Sequence, residues 1–218
     1  MTRLANKRSK SASNSNVVLP PLSSLTTERI HLLLNTIALL SPIPNMSLLS
    51  KDTMISRLYL LVGTAILGEM LIGVQVKGRE LMLGYATLAT IVGAVIIHVV
   101  TILFGAPVFN QILETWLFSL YLSSQTVLPA FLVLRTNVNA WFRVFIDFKA
   151  KTSVESAVLY SGLGACIGAW LSAITLPLDW DRPWQAWPIP AVVGTLLGCM
   201  SGHALYAVID LGVQKKNE

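Results

Sequence analysis

Pro177-Leu178-Asp179-Trp180-Asp181-Arg182-Pro183-Trp184-Gln185-Ala186-Trp187-Pro188-Ile189-Pro190 sets four prolines, three tryptophans, two carboxylates and one arginine between two long apolar runs. Proline lacks a backbone N–H, fixes its own φ and pushes the preceding residue out of the helical region. The stretch therefore reads as a stiff, bent connector. Tryptophans beside apolar runs prefer the membrane–water boundary, where the ring is apolar and the indole N–H stays wet. The expectation is a short rigid turn on a bilayer face, with one apolar helix arriving and another leaving.

Composition supports a bilayer. Of the 218 residues 54% are hydrophobic and only 12% charged, against about 25% charged in a soluble domain. The apolar runs are too long and too unalternating for barrel strands, so an all-α, polytopic membrane protein is expected. The formal charge of +5 does not point to nucleic acid, because the basic residues scatter over connectors and form no binding motif. Cys166 and Cys199 both fall in apolar runs, with no second metal ligand at useful spacing, and whether they pair is left open.

Six spans can be laid out from the turn. The fifth, Ala157 to Leu176, enters it, and the sixth, Ala191 to Ile209, leaves it. Before them come Ile30 to Leu49, Met54 to Val76, Leu81 to Phe104, and Ile112 to Leu134 with Pro129 near its end. Each suits a hydrocarbon core of roughly 30 Å at about 1.5 Å per residue. The first is the weakest, since it holds His31, Asn35, Pro42 and Pro44. Residues 1–29 read as a disordered basic tail without a cleavable signal peptide. The layout is thus tail 1–29, a six-helix membrane domain 30–212, and a short tail 213–218.

Lysine and arginine orient these spans. One side collects Arg3, Lys7, Arg8, Lys10, Arg29, Lys77, Arg79, Arg135, Arg143, Lys149, Lys151, Lys215 and Lys216. The other keeps Lys51, Arg57 and Arg182. Cytoplasmic segments hold the excess of such charge, so both termini are expected in the cytoplasm and the Trp-rich turn on the far side. Within the longest inner connector, Ala140-Trp141-Phe142-Arg143-Val144-Phe145 looks like an interfacial helix.

Small residues recur every fourth position in the last two spans: Gly164, Gly168 and Ser172, then Gly194, Gly198 and Gly202. They let backbones approach closely, because in lipid van der Waals contact replaces the hydrophobic drive. The two ladders either pack on each other or dock a helix of another protein.

Ionisable residues inside a membrane need partners. Glu69 lies about 22 Å below the outer end of its span and His203 about 18 Å, so those two are depth-matched. His98 lies about 9 Å down and groups with Arg57 and Glu114 in a shallower set. Either an ion pathway or a structural polar pair between helices would use such groups.

Catalytic and metal-ligand motifs are lacking. The chain has no glycine-rich phosphate loop, no HExxH, no serine or cysteine nucleophile motif and no cluster of metal ligands. No catalytic residue, metal or cofactor is therefore assigned. Asp179 and Asp181 beside Arg182 read as a local salt-bridged turn, though their spacing of two also allows a shared partner or simple hydration.

Leu178-Asp179-Trp180-Asp181-Arg182-Pro183-Trp184-Gln185, with Trp187-Pro188-Ile189 after it, resembles the signature turn of the PIG-F family, the class F proteins of glycosylphosphatidylinositol (GPI) anchor biosynthesis. Ile167-Gly168-Ala169-Trp170, Pro177, Phe104-Gly105-Ala106-Pro107, Leu113-Glu114-Thr115-Trp116-Leu117-Phe118 and Ala140-Trp141-Phe142-Arg143-Val144-Phe145 carry the resemblance further, over residues 100–200. It implies a multi-pass protein of the endoplasmic reticulum membrane. Such proteins bind and stabilise the large ethanolamine-phosphate transferases that decorate GPI mannoses, and the partner holds the metal-dependent catalytic domain. Lys215-Lys216-Asn217-Glu218 resembles a dilysine retrieval signal, and reads equally as an ordinary positive-inside stop.

The leading expectation is a non-catalytic transferase subunit. Its partner or lipid interface would be Asp179, Trp180, Asp181, Arg182, Trp184 and Trp187, since aromatic residues with arginine concentrate binding energy. The alternative is a lipid transporter or scramblase for GPI precursors using Glu69, His98, Glu114 and His203. A small membrane enzyme acting on lipid is disfavoured by the ligand count.

Overall fold

The computed structural model describes residues 80–178 and 180–216, with the single positions Ser56, Tyr59 and Gly63. The tail 1–29 and the span Ile30 to Leu49 lie outside the described residues, as does nearly all of Met54 to Val76. Ser56, Tyr59 and Gly63 are helical. Among the described residues every regular element is a helix.

Helix α1 runs Glu80–Leu103 and α2 runs Ile112–Leu134. The short α3, Val138–Trp141, continues into one wider turn, Phe142–Ile146. Helix α4 spans Ser153–Ser172 and α5 Ile189–Lys216. Four helices are long and apolar enough to cross a membrane: Gly84–Leu103, Ile112–Leu134, Ser153–Ala173 and Ile189–Ile209. They correspond to the last four spans read from the sequence.

The boundaries have local causes. Gly105 carries φ +99° in the turn after α1, a conformation that only glycine enters without steric penalty. Helix α4 begins four residues before the expected Ala157 because Thr152 caps it: its Oγ1 accepts from the Glu155 N–H at 3.2 Å. Asn137 caps α3 likewise, its Oδ1 accepting from the Ala140 N–H at 3.1 Å. The α2 hydroxyls turn back on their own helix, with Ser119 donating to the Thr115 carbonyl and Ser124 to that of Tyr121, each at 2.7 Å. Apolar surroundings leave such groups few other partners.

Helix α2 is central and packs against α1, α4 and α5. Against α1, Ser123 donates to the Thr90 carbonyl at 2.7 Å, and Gly93 leaves room for Ser123 and Val127. Against α4 and α5, Phe118, Tyr121 and Leu122 meet Ala165, Ala169, Val192 and Cys199 in the main core. A second cluster at the far end joins Leu134, Ala140, Val144 and Leu159.

Candidate functional site

Five glycines seal α4 to α5. A Cβ on Gly168 would lie 2.9 Å from the Gly198 Cα, one on Gly164 3.2 Å from the Gly202 Cα, and one on Gly202 2.9 Å from the Ser161 Cα. Gly194 lies against Gly168 and Ser172. The obstacles are mostly backbone, which cannot step aside. The two ladders therefore face each other, and the hairpin they form carries the Trp-rich turn at its tip.

Gln185 orders that turn. Its Oε1 accepts from the Arg182 N–H at 3.0 Å. Its Nε2 donates to the Thr175 carbonyl at 2.9 Å and the Leu178 carbonyl at 2.8 Å. One amide thus ties the turn just after α4 to the middle of the loop, and Pro183–Gln185 closes as a single tight helical turn. Asp181 sits at φ +44°. Asp179 lies outside the described residues, and among the described residues Asp181 and Arg182 form no ion pair. Hydrogen bonds to the neutral Gln185 amide hold the connector, and the part of the expected salt-bridged turn that rests on Asp179 lies outside the described residues.

The tryptophans part company. Trp180 is 54% exposed and lies 5.8 Å from half-buried Trp184, centroid to centroid at 59°, with exposed Arg182 between them in sequence. Trp187 turns the other way. Its Nε1–H donates to Thr115 Oγ1 at 2.9 Å and its ring meets Phe118 edge-on at 5.4 Å, so it packs into the bundle. The outward surface of the turn is thus Trp180, Asp181, Arg182 and Trp184.

Glu69 and Arg57 lie outside the described residues, so the Glu69–His203 pairing does too. His98 meets Trp116 edge-on at 5.6 Å, and its buried Nδ1 has no hydrogen-bond partner among the described residues. Glu114 and His203 are half-buried. No hydrogen bond or ion pair joins His98, Glu114 and His203 among the described residues. Cys166 and Cys199 are not joined by a disulfide; the first is exposed and the second buried. Among the described residues no three His, Cys, Asp or Glu side chains gather as a metal ion requires.

Gln185 and Thr115 were missed from sequence. Gln185 stood inside the quoted stretch, overshadowed by its charged neighbours. Thr115 stood inside the quoted Leu113–Phe118 stretch, with no role of its own. Nothing in either pattern reveals partners 10 and 72 residues away.

A helical membrane protein with a glycine-sealed hairpin and an ordered aromatic turn is the class these features define. The chain belongs to the GPI biosynthesis protein family Pig-F, whose model matches residues 52–207. It is 40% identical over 105 residues to a Homo sapiens protein named GPI ethanolamine phosphate transferase, stabilizing subunit, covering 48% of each chain. A Candida albicans protein named glycosylphosphatidylinositol anchor biosynthesis protein 11 is 38% identical over 131 residues, 60% of this chain and 49% of that one. The chain also matches a Schizosaccharomyces pombe fusion of PIGF with 3-ketodihydrosphingosine reductase, 40% identical over 120 residues, 55% of this chain and 24% of that one. The chain spans about half the length of the human and Candida relatives it matches. No solved structure matches it.

Proposed function

We propose that this chain is a non-catalytic subunit in GPI-anchor biosynthesis. It binds and stabilises the ethanolamine-phosphate transferases that add phosphoethanolamine to GPI mannoses, as a multi-pass protein of the endoplasmic reticulum membrane. Six spans put both termini in the cytoplasm and the Trp-rich turn in the lumen, beside the partner's catalytic domain. The observation that carries this reading is the family match together with the name of the human relative, a stabilizing subunit.

The physical argument begins at the turn. Aromatic and arginine side chains on a pre-ordered surface lose little freedom on binding, and Gln185 supplies that order to Trp180, Arg182 and Trp184. The glycine seam fixes the helices behind them. GPI precursor lipid would lie along the exposed apolar flanks of the same helices.

Co-purification of the transferase from detergent extracts tests the reading. Trp180→Ala with Trp184→Ala is expected to lower recovery of the partner at least tenfold while this chain stays at its normal level. Undiminished recovery, or phosphoethanolamine transfer by this chain alone, would refute it.

A further inference from the structure

The connector between α2 and α4 sorts its side chains by face. Ala140 and Val144 turn inward and are buried with Leu134 and Leu159. Val138, Phe142 and Ile146 follow the complementary four-residue spacing and, with Phe148, stand between 60% and 65% exposed. A row of large apolar side chains is ordinary on a membrane-crossing helix and unusual on a connector in water.

Depth decides what the row meets. Phe145 reaches within 3.8 Å of where a Cβ on Gly162 would sit, and Leu159 and Leu163 share its cluster. Leu159 and Leu163 lie 6 and 10 residues into α4, about 9–15 Å along the helix axis. The Phe142–Ile146 turn therefore lies beside the first turns of α4 and not beyond its end. Side chains pointing outward at that level share the surroundings of α4 itself, the edge of the acyl layer.

Charge completes the surface. Arg143 makes paired 2.8 Å hydrogen bonds to Glu155 and a third to the Lys149 carbonyl, also at 2.8 Å, so its charge is matched within the fold. The Lys151 N–H donates to the same carboxylate at 2.6 Å. Arg135, Lys149 and Lys151 remain exposed at the two ends of the row, against Asp147 alone. Their stems can lie along apolar surface while the charged heads reach outward.

We propose that the Val138–Phe148 face is a docking surface for a lipid leaflet carrying acidic headgroups. The apolar row lies in the acyl boundary, and Arg135, Lys149 and Lys151 contact the headgroups. This does not depend on the transferase reading.

The test uses the full chain in vesicles of phosphatidylcholine and phosphatidylserine, with photoreactive p-benzoylphenylalanine in place of Phe142 or of Phe148. Both rings are exposed, so the replacement leaves the packing alone. Irradiation is expected to yield phospholipid adducts at both positions. Phosphatidylserine should be captured above its share, and Lys149→Gln with Lys151→Gln should abolish that excess. Capture in proportion to composition overturns the proposal, as does the absence of adducts expected of a loop in water. The same labelled chains irradiated in cell membranes give a protein adduct if a partner or second copy covers this face, which also overturns it.

Discussion

Trp187 donates its indole N–H to the Thr115 hydroxyl at 2.9 Å across 72 residues of sequence. Thr115 passes the interaction on, donating to the Gln111 carbonyl at 2.8 Å. The Trp-rich turn is thereby fastened to the first turn of α2, with Phe118 in an edge-on contact with the same indole. Replacing Trp187 by Phe and Thr115 by Val, singly and together, should give a coupling of about 1 kcal/mol in thermal unfolding in detergent. Strictly additive effects would mean that the bond contributes nothing.

The glycine seam predicts a contrast between two alanines. Gly198→Ala puts a methyl 2.9 Å from the Gly168 Cα and 2.8 Å from the Gly164 carbonyl carbon. The helices must part, with an expected loss at the upper end of the ~1–3 kcal/mol typical of overpacking. Gly84→Ala meets nothing within 4 Å, so helix propensity should leave it neutral or up to about 1 kcal/mol more stable. Expression level and unfolding temperature of the two variants check this.

Gln185 separates order from stability. Gln185→Leu removes one acceptor and two donors from a connector that water can reach. The unfolding cost should be only about 1 kcal/mol. Recovery of the transferase should fall much further, because Trp180 and Trp184 lose their fixed spacing. Gln185→Glu keeps the acceptor for Arg182 but no longer donates, and should behave alike. Normal recovery with either variant would detach the turn's order from binding.

Tyr121 is fully buried between helices, and its hydroxyl has no partner among the described residues. A buried polar group without a partner opposes folding. Tyr121→Phe removes it while keeping the ring, and should be neutral or stabilising by up to about 1 kcal/mol. A clear drop in unfolding temperature would reveal a bond formed by that oxygen.

Much of this was legible from apolar run length alone. Ile112–Leu134 matches its helix to the residue, because Pro107 and the polar Asn110-Gln111 pair precede it and Arg135 follows. The small-residue ladders were legible because a four-residue period puts Gly164 and Gly168 on one helix face. The α4 start was not, since hydropathy is blind to a threonine cap. Nor was the division of the tryptophans. Residue type says that Trp180, Trp184 and Trp187 favour an interface, whereas only the path of the chain decides which of them Thr115 meets. The same limit hid Gln185, whose partners are carbonyls that every residue owns.

The seam of bare glycine between α4 and α5 has a mechanical consequence. With few side chains between the two backbones there are few rotamers to exchange, so the joint cannot creep by repacking and must be shut or broken. A push on the tryptophan-bearing tip would tilt both helices as one splint. The displacement would emerge at the opposite end, where Leu159 rests on Val144.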